Sequence, residues 1–191
     1  MKEAVLERPK DKVWTYEDYL NGRIPAEVSE IVKGKEVRKM PASFIHGFLE
    51  GKIYTLLLNL PKNKYFAAVG EVALLLSRSP LTLRGADVVV ISKNRLKGIP
   101  KGAIEVPPDL IVEIVSPSDS LPYTIEKMED YRRWGVKRQV WVFPEDGKVV
   151  VIEGEGIKVF DENDEVELLE GVKFKLKDLL KEVEDEGKRG Q

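Results

Sequence analysis

One acid interrupts an otherwise apolar run, and it limits what this chain can fold into more than any other feature. The segment is Pro108-Asp109-Leu110-Ile111-Val112-Glu113-Ile114-Val115. Its aliphatic run, entered after a proline and left at Ser116-Pro117, predicts a short strand covered on both faces. An ionised carboxylate buried in such a strand is costly unless it is paired, hydrogen-bonded or bound to a metal. A second run, Ala86-Asp87-Val88-Val89-Val90-Ile91, repeats the anomaly, with one acid at the mouth of a β-branched strand. Two strands with one acid each suggest a metal site built on a sheet.

The 191 residues suffice for one α/β domain with a proper core. The sequence divides into an N-terminal arm (1–26), a single domain (27–183) and a charged tail (184–191). The arm carries a short helix opened by Thr15 with Asp18. A hairpin spans 27–40, and Pro41 and Ser43 open a helix whose apolar positions Ile45, Phe48, Leu49, Ile53, Leu56 and Leu57 recur at helical spacing. Strands are predicted at 65–70, 72–77, 86–92 and 109–115, then a helix from Tyr123 to Trp134 stopped at Gly135, then a strand over Val136 to Phe143. Two hairpins follow, around Gly147 and around Asn163, and an amphipathic segment from Leu176 to Val183 closes the domain. The order predicts a mixed central sheet flanked by helices, with additional β-hairpins.

Composition removes several classes of chemistry. With no cysteine, disulfides, thiolate metal sites and a cysteine nucleophile are excluded. A single histidine cannot build a nitrogen-rich zinc site, and no Gly-x-Ser-x-Gly pattern marks a serine hydrolase. No apolar stretch has the length of a membrane span and the N-terminus lacks a signal-peptide pattern, so a cytoplasmic protein without a membrane partner is expected. The formal net charge of −2 argues mildly against a dedicated nucleic-acid binder. Local basic clusters occur at Lys93, Arg95, Lys97 and Lys101 and at Arg132, Arg133, Lys137 and Arg138; ordinary solvated faces explain them equally well.

Asp87 and Glu113 supply two carboxylates for a divalent cation if their strands are neighbours in matching register. Asp87 also reads as a strand-entry residue after Gly85, and Glu113 as half of a buried salt bridge. A cation is needed beside them, yet the position two residues after Glu113 is Val115. The next lysine is Lys127, one helical turn before Tyr131; its alternative is a solvent-facing residue paired with Glu126 or Asp130.

The run from Arg84 to Ile91, the run from Pro108 to Ser118, Lys127 with Tyr131 and Gly135-Val136, and the strand Val140-Trp141-Val142-Phe143-Pro144 together resemble a large bacterial family of small endonuclease-like proteins. That family has the restriction-endonuclease-like, PD-(D/E)XK fold. The resemblance covers roughly residues 25 to 155 and departs from the family pattern at Ala86, where proline is usual. It implies that Asp87 and Glu113 ligate Mg²⁺ or Mn²⁺ and that Lys127 is the catalytic lysine, moved from strand to helix. It also implies a DNA substrate. Glu71 resembles an acid carried upstream in such proteins and reads equally as a hairpin-edge charge. His46, where relatives tend to have histidine, is an accessory candidate against a plain packing role. A non-catalytic nucleic-acid- or protein-binding module that keeps the fold is the competing reading, and a homodimer stays open.

Overall fold

The computed structural model describes residues 12–96 and 98–181, so the first eleven residues, Lys97 and the expected tail lie outside the described residues. The elements in chain order are α1 (Tyr16–Leu20), β1 (Glu30–Val32), β2 (Lys35–Val37), α2 (Phe44–Leu57), β3 (Tyr65–Arg78), β4 (Leu81–Ser92), a 3₁₀ turn (Lys93–Arg95), β5 (Leu110–Ile114), α3 (Leu121–Trp134), β6 (Arg138–Phe143), β7 (Lys148–Glu153), β8 (Gly156–Asp161), β9 (Val166–Leu169) and β10 (Val172–Phe174). Residues 176–181 are helical.

Eight strands form a mixed sheet in the order β2-β1-β4-β5-β6-β7-β8, with β3 also paired to β4. All pairs are antiparallel except β5 with β6, which α3 connects as a parallel crossover. Strand β4 organises the site. Strand β3 runs along one edge of it over nearly its whole length. The other edge is shared: β1 pairs at Leu83, and β5 pairs at Val88, Val89 and Val90. Between those two partners, residues 84–87 face a fork in the sheet.

The period of two decides which face each strand residue takes. In β5, Leu110, Val112 and Ile114 join the core beneath α2 and the helical segment 176–181, with Leu49, Ile53, Leu57, Leu176 and Leu179. Ile111 goes to the opposite core, with Tyr131 of α3, Val89 and Trp141. Each fully buried aliphatic side chain here contributes about 1.5–3 kcal/mol. Glu113 therefore shares the α3 face with Ile111. Helix α3 is held in place by Ser120 at its start, whose hydroxyl accepts from the Tyr123 N–H. At its end Gly135 takes a left-handed conformation, φ 97°, that a side chain would strain.

Two sequence expectations need correction. The strands predicted at 65–70 and 72–77 are one strand, because a bulge at Gly70 and Glu71 (φ 95° and 49°) keeps the ladder with β4 running across it. The hairpin expected around Asn163 does not form. Asp161 and Asp164 close a turn there, β8 stays paired only to β7, and β9 pairs instead with β10 as a separate two-stranded sheet. Smaller shifts extend β4 back to Leu81 and start α3 at Leu121.

Asp109, just before β5, ties its entry to both neighbours. Its carboxylate accepts from the Ser92 N–H (2.6 Å) and hydroxyl and from the Lys137 ammonium (2.6 Å). Burial works against the charge, but Lys137 and Ser92 hold the carboxyl below its usual range. A depressed pKa contributes stability above the usual carboxylate range that is lost as pH falls. Asp109→Asn is expected to lower stability at neutral pH by about 1–3 kcal/mol and to flatten the acid limb of a denaturation-against-pH profile. An unchanged acid limb would refute this role.

Candidate functional site: a buried acid–lysine cluster at the sheet fork

The β4–β5 register pairs Val88 with Val112 and Val89 with Ile111. Continued by one residue it sets Asp87 opposite Glu113, and opposed residues share a face. Sequence could place each acid on a strand; the register brings them together. At the fork the unpaired backbone groups of both strands still need partners, and the site's side chains supply them. The Ile114 N–H donates to Asp87 Oδ2 at 2.7 Å. The Gly85 N–H donates to Glu30 Oε1 at 3.1 Å, and the Gly85 carbonyl accepts from the Tyr131 hydroxyl at 3.1 Å.

Lys127 projects from α3 into this fork. Its Nζ lies 2.8 Å from Glu113 Oε2 and 3.2 Å from Glu30 Oε1, and the residue is 1% exposed. The solvent-facing alternative is thereby excluded; Glu126 and Asp130 pair instead with Lys33 and Arg84. Glu113 Oε1 accepts from the Tyr131 hydroxyl at 2.7 Å, so both of its oxygens are held. Burial pushes the Glu113 carboxyl up, to about 7, against the pull of Lys127. Burial alone would lower the Lys127 ammonium, yet Glu113 and the groups around it hold it well above the lysine range.

Two members of the cluster carried no legible signal. Glu30, from the short strand β1, is buried, accepts from Arg84 Nη1 (2.8 Å) and the Tyr123 hydroxyl (2.8 Å), and faces Lys127. Burial opposes its charge, but Lys127 and Arg84 bring its carboxyl down to about 2. Arg84 sits at 1% exposure between Glu30 and Asp130. No apolar run surrounds Glu30 in the sequence, and Arg84 reads as an ordinary residue before Gly85. Three buried carboxylates (Glu30, Asp87, Glu113) thus face two buried cations (Arg84, Lys127).

Of the accessory candidates, His46 reaches the site. Its Nε2 lies 3.3 Å from Asp87 Oδ1, and Asp87 raises the imidazole pKa against burial. Burial disfavours the Asp87 charge, while His46 and the Ile114 N–H hold it below the usual range. His46 Nδ1 is buried without a hydrogen-bond partner, as is Oε1 of Glu50. Glu50 lies four residues on from His46, on the same helix face, a spacing that could have flagged it. Its carboxyl is raised by burial and then by Asp87. Glu71 is exposed at the β3 bulge, with its carboxylate over Gly85, on the Asp87 face of β4, and lines the outer cleft with His46.

An inner cavity of about 20 Å³, room for one water-sized occupant, is lined by His46, Asp87, Glu113, Lys127 and Lys39. It adjoins an outer cleft of about 320 Å³ between the loop after β2 and the Ser116–Ser120 loop. Among the described residues no three His, Asp or Glu side chains form a ready metal cage. Mg²⁺ does not require one: it is commonly held by one or two carboxylates plus waters and substrate phosphate oxygens. Two opposed carboxylates lining one cavity fit that chemistry.

A mixed sheet between helices, with opposed acids on neighbouring strands and a lysine brought over them, is the arrangement of a restriction-endonuclease-like fold. Residues 15–180 match the model of the Uma2 family, described as "Putative restriction endonuclease", and this chain belongs to that family. Among solved structures, the crystal structure of "a putative nuclease belonging to DUF820" from Anabaena variabilis ATCC 29413 is similar in fold. Its TM-score is 0.73 at 19% identity, covering 87% of this chain and 97% of that one. No curated protein matches the sequence. Among the described residues no helix is long and apolar enough to cross a membrane.

Proposed function

We propose that this protein hydrolyses phosphodiester bonds in DNA with a divalent cation, Mg²⁺ or Mn²⁺, held by Asp87 and Glu113. The observation that carries the reading is the sheet fork, where these two carboxylates and Lys127 line one cavity that adjoins a cleft. A cation bound there supplies charge for the phosphate oxygens and lowers the pKa of the attacking water. The chain's own groups do the rest. The Ile114 N–H and His46 orient the Asp87 carboxylate, while Tyr131 and Lys127 fix that of Glu113. Lys127 adds a fixed positive charge in a water-poor site, where preorganised electrostatics have their largest effect. His46 turns Nε2 to the Asp87 carboxylate at 3.3 Å while lining the cleft.

The experiment is cleavage of plasmid and single-stranded DNA with Mg²⁺ or Mn²⁺, wild type against Glu113→Gln. Wild type is expected to cleave, and the variant to be slower by about 10³-fold. Equal rates would remove Glu113 from the reaction. Calorimetric titration of Mn²⁺ is expected to show binding to wild type that is lost in Asp87→Asn; unchanged binding would refute the ligand assignment. One observation favours a second reading, a binding module that keeps the fold without turnover: both Glu113 oxygens are already satisfied by protein donors. Wild type that binds DNA but leaves it intact under all metal conditions would decide for that module.

A further inference from the structure

The two buried cations of the cluster are closed off from an incoming substrate. Arg84 is enclosed by Glu30 and Asp130, and Lys127 by Glu113, Glu30 and Tyr131. An anionic chain approaching three buried carboxylates is repelled unless an accessible cation receives it first. Lys39 has that position. Its backbone N–H is pinned to the Ser29 hydroxyl at 3.2 Å, in the loop after β2. Its side chain, 20% exposed, passes the ring of Tyr123, with Nζ 5.3 Å from the ring centroid. The ammonium ends 4.0 Å from Glu30 Oε1, the outer limit of an ion pair. It lines both the outer cleft and the inner cavity. Neighbouring Arg38 lines the outer cleft but not the inner cavity, and its guanidinium donates twice to Glu36.

We propose that Lys39 is the cation that contacts the substrate phosphate at the throat between cleft and cavity, an assignment that rests on the phosphodiesterase reading of this site. The flexible stem lets the ammonium swing from its loose contact with Glu30 onto a phosphate oxygen. Tyr123, whose hydroxyl is fixed by Glu30, presents its ring to that ammonium. Lys127 then acts on the carboxylates inside while Lys39 acts on the nucleic acid outside.

The test measures binding of fluorescently labelled single-stranded and duplex DNA by anisotropy across a KCl series, in EDTA and again with Ca²⁺. Lys39→Met is expected to weaken binding about tenfold at low salt and to reduce the slope of log affinity against log salt by about one. Lys39→Arg should restore both, which a purely structural role for the side chain would not predict, and thermal melts establish that each variant is folded. Wild-type affinity and slope in Lys39→Met would overturn the assignment, as would absence of DNA binding by wild type in both buffers. Cleavage with Mn²⁺, run in parallel, separates the two ideas. Lys39-dependent binding without cleavage sinks the phosphodiesterase reading and keeps Lys39. Cleavage with an unchanged kcat/KM in Lys39→Met sinks Lys39 alone.

Discussion

Lys127→Met is expected to slow metal-dependent cleavage about 10³-fold and also to cost stability, about 3–5 kcal/mol in denaturant unfolding. The loss follows from what the ammonium separates. With it gone, the Glu113 and Glu30 carboxylates remain buried across an apolar thioether, and only Tyr131, Tyr123, Arg84 and the Gly85 N–H still donate to them. The cost is therefore that of Glu30 losing a charge partner and of Glu113, already raised by burial, taking up a proton in place of the ion pair. The double variant Lys127→Met/Glu113→Gln is expected to recover about 1–3 kcal/mol of it, because the two residues are in contact and their effects couple. Activity should behave differently. Each single variant is expected to lose about 10³-fold, and the double variant little more, as residues acting as one unit do. Additive stability changes would break the pairing argument. A Lys127→Met enzyme that cleaves at the wild-type rate would remove the lysine from the chemistry.

Glu30→Gln should cost the fold as much as Lys127→Met, because Glu30 is the common partner of Arg84, Lys127, Tyr123 and the Gly85 N–H. Loss of its charge leaves Arg84 dependent on Asp130 and Lys127 on Glu113, at a cost of about 3–5 kcal/mol. The pH dependence follows from a folded-state value of about 2 against an ordinary 4.5. A depressed carboxylate stabilises the fold fully above its unfolded value and loses that contribution as pH falls through the folded one. The wild type is therefore expected to lose about 3 kcal/mol between about pH 5 and pH 2 from this group alone. Glu30→Gln should start lower at neutral pH and show a shallower acid limb. Parallel acid limbs in guanidinium titrations of the two proteins would contradict the assignment.

How much of this was legible before folding can be followed residue by residue. The two acids announced themselves because an ionisable group inside a β-branched run violates the local pattern, and such violations concentrate at functional sites. The helix bearing Lys127 followed from its stop at Gly135, with its start two residues earlier than the expected Tyr123. Its inward direction did not, since helical spacing also allowed pairing with Glu126 or Asp130. Glu30 and Arg84 violate no local pattern; what makes them important is a partner 54 residues apart in the chain. The bulge at Gly70 and Glu71 read as a strand break because sequence shows the irregular residues and not the ladder that continues past them. Likewise the hairpin expected at Asn163 fails because β9 finds its edge in β10 while β8 stays with β7.

The sequence by itself determined most of the elements and the oddity of Asp87 and Glu113, because period and burial cost are local properties of the chain. Only the tertiary structure decided the β4–β5 register, the fork between β1 and β5, and the inward turn of α3. Those depend on long-range pairing, where a one-residue slip in either strand would have sent its acid to the other face.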